Sequence, residues 1–500
     1  MIKNYIMRTI LHYLFRVFYF FILCLYKPLK FLLRPIIRLH PRLYNFAATL
    51  REGLNELIRV PELTLNTSSE ITSEIDTNNK IPGWLIDEWK AIHEIEPQLF
   101  PGKWLVDNIP FYSIPNSRIG DHYLELCRLY GNNVSHVFLV PWIDRGGADI
   151  VTLNHIRALI NHNLSNYITV ISTFNTDSPW AYKLPDKVRF IEFGKKYSHL
   201  SEDEQEKLLT RLLIQMAPKV IHNINSDLGY KIFVKYGNAL NSVSNLYASF
   251  FCTDITQKGE HVGYAYCYLP KCFDCLKAVA IDNQSFLNRL IETYAFDKEK
   301  MYVHYQPIQI TNKRKCSDNI VEKKQMDIIW AGRMDRQKRP DILMKIAQAS
   351  QDLPFRFHVY GISVLDDDIF TDELTKQKNI TCYGVFNKLD SLPIEQFDLF
   401  LYTSQWDGMP TILLDAISLG LPIIASDVGG ISELIIHDKT GFLINPYDDI
   451  DCYVNCLKKI YNNRALLTNI VNNAYELISK RHSWECFLEN LNNFPGYINT

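Results

Sequence analysis

From residue 134 onward the chain alternates short apolar runs with helical stretches. "VSHVFLVP" is followed by the loop "WIDRGGAD" and the helical "IVTLNHIRALINH". Then come "YITVIST", "VRFIEF" and "KVIHNI", with the helical "SEDEQEKLLTRLLIQMA" between the last two. Four- to eight-residue apolar runs separated by helices are strands of a parallel, doubly wound sheet, because each crossover must carry a helix over the sheet face. The polar, charged stretch 311–325 interrupts this pattern, which then restarts: "MDIIWAG", "RPDILMKIAQAS", "FRFHVYG", "NITCYG", "FDLFLYT", "PTILLDAISLG", "PIIAS", "ISELII" and "GFLIN". The pattern predicts an α/β protein of two tandem Rossmann-like domains, at 81–310 and 326–480, with a helical tail at 481–500.

Parallel sheets of this kind bind ligands beyond the C-terminal ends of their strands. In the second domain "QWDGMPTILLDAISLGLPIIASDVGG" places Asp407 in the loop after a strand and Asp415 about a turn and a half into the next helix, with Pro410 suited to that helix's first turn. A carboxylate within "ILLDAI" is costly to bury unless something engages it. Alone, Asp407 reads equally as a turn residue and Asp415 as a carboxylate satisfied locally. Arg333 and Lys338 follow the strand "MDIIWAG", and two cations at one strand exit suit a pyrophosphate. Gly429–Gly430 and, in the first domain, Gly146–Gly147 are double glycines that let backbone N–H groups approach a phosphate. No GxGxxG follows a strand, so the nicotinamide and flavin fingerprint is missing.

Outside the two domains the charge is uneven. Residues 1–51 hold nine Lys/Arg and no acid, leaving 44 basic and 55 acidic residues in the remainder. The acidic body has no field that would draw nucleic acid. Residues 1–61 form the basic arm. Within it Arg8, His12 and Arg16, then Lys30, Arg34 and Arg38, fall on helical stripes among aromatic and aliphatic residues, broken by Pro28, Pro35 and Pro41. The pattern fits amphipathic helices lying in a membrane interface through residues 1–45. A single span and a helix packed on the body are the other readings; the longest run without Lys, Arg or His, Val17–Tyr26, is half of what a span needs. Residues 62–80 read as a polar linker. Residues 81–130 extend the first domain. Eleven cysteines spread over a long chain read as reduced thiols. Cys267, Cys272 and Cys275 lack an obvious fourth ligand for a metal.

Taken together, the Gly-Gly loop at 146–147, "AIDNQSFLNRLIETYAFDKEKMYVHYQP", "GRMDRQK", "DGMPTILLDAISLGLPIIASDVGG" and "TGFLINPYD" resemble the family 4 retaining glycosyltransferases of GT-B fold. The resemblance implies a nucleotide-sugar bound in a cleft between the two domains. Arg333 and Lys338 would hold its pyrophosphate, Asp407 its sugar and Asp415 its ribose. Backbone near Met409 and Thr411, with Gly429 and Gly430, would line the donor, and Gly146 and Gly147 would close over the phosphates. His222 or Asn225 would line the acceptor side. The resemblance implies no metal or other cofactor, and no protein nucleophile. Domain closure would assemble the site. Both motif positions hold aspartate where the family has glutamate. The expected acceptor is a saccharide or lipid-linked saccharide in envelope polysaccharide or lipopolysaccharide synthesis, with the enzyme on the cytoplasmic face of the membrane. An inactive membrane-tethered scaffold and a nucleotide-sugar epimerase are the alternatives.

Overall fold

A computed structural model describes residues 83–97, 118–130, 134–162, 168–309, 324–362 and 369–498. The basic arm, the linker 62–80 and residues 311–323 of the boundary segment lie outside the described residues. The chain divides into two compact units, Met1–Ile114 and Pro115–Thr500. The division assigns residues 81–114 to the first unit rather than to the Rossmann-like domain. In that unit the helix Gly83–Ile95 is described, with Trp89 stacked on His93.

The second unit contains both predicted sheets. Its strands are β1 (His136–Val140), β2 (Ile168–Ser172), β3 (Arg189–Glu192), β4 (Val220–Ile224), β5 (Asn245–Phe250), the short hairpin β6 (Asp254–Ile255) and β7 (His261–Val262), β8 (Leu276–Ile281), β9 (Met301–Val303), β10 (Met326–Ala331), β11 (Phe355–Tyr360), β12 (Ile380–Gly384), β13 (Leu399–Tyr402), β14 (Ile423–Ser426) and β15 (Phe442–Ile444). The first sheet runs β3-β2-β1-β4-β5-β8-β9 and the second β12-β11-β10-β13-β14-β15. All neighbours in both sheets are parallel. In each, the strand order reverses beside the first strand of the domain, which opens a crevice at the C-terminal edge.

Alternation sends successive side chains to opposite faces, and helices cover both, so the strands read as unbroken apolar runs. Val137 and Leu139 enter one core, Phe138 and Val140 the other. In the second sheet Ile328 and Trp330 oppose Ile329 and Ala331 in the same way.

The C-terminal segment returns to the first domain. Phe487 and Leu491 of the helix Trp484–Asn492, with Phe494 and Tyr497 after it, complete the core beneath the first sheet. Where the chain crosses between domains, the two crossings touch: Ile308 N–H donates to His482 O at 2.9 Å. Among the described residues, no helix is long and apolar enough to cross a membrane.

Candidate functional site

The loop after β10 carries both predicted cations, but they differ. Arg333 is exposed at the rim, 3.1 Å from Asp335 Oδ2 and donating to Gln337 Oε1 at 2.7 Å. Lys338 is largely buried. Its ammonium lies 2.5 Å from Asp407 Oδ2 and 2.6 Å from Tyr402 Oη, and Tyr402 also donates to Asp407. Burial works against this ammonium, yet Asp407 and Tyr402 outweigh it and hold Lys338 above its ordinary range. Tyr402 ends β13, so the strand itself delivers the third member of the knot. Thr403 then fixes the loop: its hydroxyl accepts from Trp330 Nε1 at 3.0 Å and donates to Lys338 O at 2.8 Å.

The glycines act mainly by allowing close approach. Gly429 sits at φ +56°, and a Cβ there would fall 1.8 Å from Asp407 O. Gly430 donates its N–H to Gly408 O at 3.2 Å, and a Cβ on it would meet Asn283. Gly429 is therefore packed behind Asp407 and Gly430 against Gly408 and Asn283, and the Gly430 amide is already engaged rather than open to a phosphate. The predicted placement of Pro410 shifts by one position: it is the N-cap, and the helix is Thr411–Ser418.

Two carboxylates clasp the domains reciprocally. Asp282, just past β8 in the first domain, accepts Met409 N–H of the second at 3.1 Å. Burial, and then the nearby Asp407 and Glu433 charges, push its carboxyl up to about 7 against the hydrogen bonds it accepts. Glu433 of the second domain caps the helix Gln284–Tyr294 of the first, accepting from Gln284 N at 3.0 Å, Ser285 N at 2.8 Å, Ser285 Oγ at 2.9 Å and Tyr305 Oη at 2.7 Å. The Met409 amide expected to meet the donor thus has a protein acceptor here. Sequence reasoning did not single out either carboxylate. Asp282 was detectable as an acid at the end of an apolar run; Glu433 carried no local signal.

Asp415 has no side-chain hydrogen bond among the described residues. Burial, with Asp390 adding and Lys388 opposing, pushes its carboxyl up to about 6. Opposite, Gly146 caps the helix Gly147–Asn161, and Gly147 is exposed, with nothing within 4 Å of a Cβ placed there. Asp149 packs against Gly146, and burial pushes it up to about 7. Arg145 reaches across to the second domain, donating to Asn387 Oδ1 at 2.8 Å and Phe386 O at 3.4 Å.

His222 is a correction. It does not line the cleft: it is fully buried, with Nδ1 2.7 Å from Tyr497 Oη and Nε2 2.8 Å from Ser249 Oγ. Its pattern neighbours could not reveal a partner 275 positions away. Asn225, at φ 62° past the end of β4, is partly accessible. Thr411 is also partly accessible at the helix start. Cys267, Cys272 and Cys275 are free thiols; burial pushes Cys272 up to about 12 and Cys275 up to about 11. Among the described residues no group of three His, Cys, Asp or Glu is placed to hold a metal.

Residues 313–477 match the family model described as glycosyl transferases group 1. The chain is 28% identical over 162 residues to the poly(ribitol-phosphate) alpha-N-acetylglucosaminyltransferase of Staphylococcus aureus (strain COL), covering 31% of this chain and 32% of that protein. It is 30% identical over 113 residues to the UDP-Gal:alpha-D-GlcNAc-diphosphoundecaprenol alpha-1,3-galactosyltransferase of Escherichia coli, covering 22% and 29%. The chain thus spans about a third of the length of these curated relatives. Among solved structures, Anabaena Alr3699/HepE in complex with UDP and glucose superposes with a TM-score of 0.56 at 16% identity, covering 72% of this chain and 98% of that one. The chain therefore has the GT-B fold, and its second domain is similar to the group 1 glycosyltransferases.

Proposed function

We propose that the protein is a retaining glycosyltransferase that moves a sugar from a UDP-sugar to a saccharide or lipid-linked saccharide in envelope polysaccharide synthesis. The observation that carries this reading is the Lys338–Asp407–Tyr402 knot at the C-terminal edge of the second sheet, with Arg333 exposed beside it. The UDP of the proposal is taken from the ligand of the Anabaena neighbour. The acceptor class follows the names of the two bacterial relatives.

In this reading Arg333 and Lys338 stabilise the charge that develops on the departing diphosphate. Asp407 orients Lys338 and reaches the sugar. Asp415 accepts from the ribose hydroxyls. The acceptor hydroxyl attacks from the face the nucleotide leaves, and a diphosphate oxygen takes its proton, so the protein supplies positioning and electrostatics without a nucleophile or a metal. Donor binding requires Asp282 to release the Met409 amide, which couples it to domain movement. Residues 1–45 hold the enzyme on the inner face of the membrane.

The test is release of UDP from UDP-sugars by the purified full-length chain, with and without EDTA. Turnover that survives EDTA is expected, falling about 10²–10³-fold in Arg333→Ala, the loss typical of one donor to a developing anion. Wild-type turnover in that variant overturns the pyrophosphate assignment. Absence of any transfer or hydrolysis supports the inactive scaffold, and an epimerised nucleotide-sugar supports the epimerase.

A further inference from the structure

Four cations gather where the Gly-Gly loop meets the second domain. Arg145 is fixed by its hydrogen bonds to Asn387 and Phe386, which sets it beside Lys388. The segment 178–184 folds against the same loop: Trp180 N–H donates to Ile143 O at 2.9 Å, and Ile143 N–H donates to Ser178 Oγ at 3.1 Å. On that segment Lys183 lies 2.9 Å from the centroid of the Trp180 ring. Arg157 comes from the helix that the Gly-Gly loop opens. The other three converge on Lys183: its ammonium is held below its ordinary range first by burial, then by Lys388, Arg145 and Arg157. No carboxylate among the described residues forms an ion pair with any of them. Like charges held together without a directly paired carboxylate favour an anion between them.

We propose that Arg145, Arg157, Lys183 and Lys388 bind a phosphate group of the acceptor, so that the enzyme glycosylates a phosphate-bearing saccharide. This rests on the glycosyltransferase reading above. The donor's diphosphate has its own cations, Arg333 and Lys338, on a different loop. Three of the four patch residues stand on the first domain, where a GT-B enzyme takes its acceptor. The fourth, Lys388, also acts on Asp415, which joins the patch to the ribose side of the cleft. Guanidinium groups supply bidentate contacts to phosphate oxygens, and the lysines supply point charges. A phosphate in a polyol-phosphate polymer and one in a lipid diphosphate offer the same chemistry.

Binding of inorganic diphosphate to the full chain tests the proposal, measured by calorimetry first without and then with saturating UDP. UDP affinity is read in a separate titration, so failure of the donor reading shows itself independently. Diphosphate is expected to bind the UDP-loaded protein, and the double variant Arg157→Ala/Lys183→Ala to bind it at least about 10-fold more weakly with UDP affinity unchanged. Arg145 is left intact because it joins the two domains. Diphosphate binding that UDP abolishes, or that the double variant retains, overturns the proposal. Displacement of diphosphate by ribitol-phosphate oligomers marks a polymer acceptor, and displacement by farnesyl diphosphate a lipid-linked one. Displacement by neither overturns the acceptor assignment.

Discussion

Asp415 shows how one side chain ties stability to binding. Its carboxyl sits at about 6 because burial disfavours the charge, with Asp390 adding to the effect. A folded value above the unfolded one means that the native state holds its proton more tightly, so ionisation costs stability above about pH 6. Asp415→Asn is therefore expected to raise unfolding free energy at pH 8 by about 1–2 kcal/mol, after allowance for partial exposure. Thermal denaturation of both proteins checks this. The same variant should bind UDP roughly 10- to 100-fold more weakly at pH 8, the range for a hydrogen bond to a charged acceptor. Wild-type affinity should fall as the pH drops through 6, whereas the variant's should not. Flat wild-type affinity between pH 8 and 5 would remove Asp415 from the ribose. At this scale the sequence was informative about identity and poor about partners. Asp407, Arg333 and Lys338 were singled out from strand exits, but the bond between Lys338 and Asp407 joins loops 69 positions apart. His222 failed for the same reason, since burial under a distant tail leaves no local trace.

Among elements, the sheets were legible and the clasps between domains were not. Buried parallel strands leave continuous apolar runs, and the alternation located β1 to β4 and β10 to β15. The strand β5 was not singled out: Asn245 and Ser249 break its apolar run. The hairpin β6–β7 is too short to carry a period; it serves through contacts, with Asp254 Oδ1 accepting from Trp406 Nε1 at 3.3 Å. The helix Gln284–Tyr294 takes part of its N-terminal capping from the other domain, through Glu433. Removing that carboxylate leaves two backbone N–H groups and the Ser285 and Tyr305 hydroxyls without this acceptor. Glu433→Ala is accordingly expected to destabilise the protein by about 2 kcal/mol, read from urea unfolding, while Glu433→Gln loses less. Equal, near-zero losses in both would show that water replaces the carboxylate.

At the scale of the whole molecule, five buried histidines (His136, His155, His222, His304 and His482) lie in or beside the core that the C-terminal segment closes. Burial holds His136, His155 and His482 down to about 4, and His222 and His304 well below their ordinary range. A depressed folded value means that the unfolded chain takes up protons first, so stability is present above about pH 6.5 and is lost as the pH falls towards 4. The buried carboxyls Asp149, Asp282 and Asp415 act in the opposite direction over part of that window but are fewer. Unfolding free energy is expected to decline from pH 6.5 to 4, and more steeply in Asp282→Asn, which deletes one opposing proton site. Parallel slopes in the two proteins would show that Asp282 does not titrate in that range.

The return of the last residues to the first sheet also has a consequence for synthesis. Phe487, Leu491, Phe494 and Tyr497 leave the ribosome after the entire second domain, yet they close the core around Phe138 and His222. At bacterial or eukaryotic translation speeds, the interval between making β9 and making Trp484 is roughly 10–40 s. For that time the nascent first domain lacks the apolar side chains that complete this core, and its closure waits on the synthesis of residues 484–497.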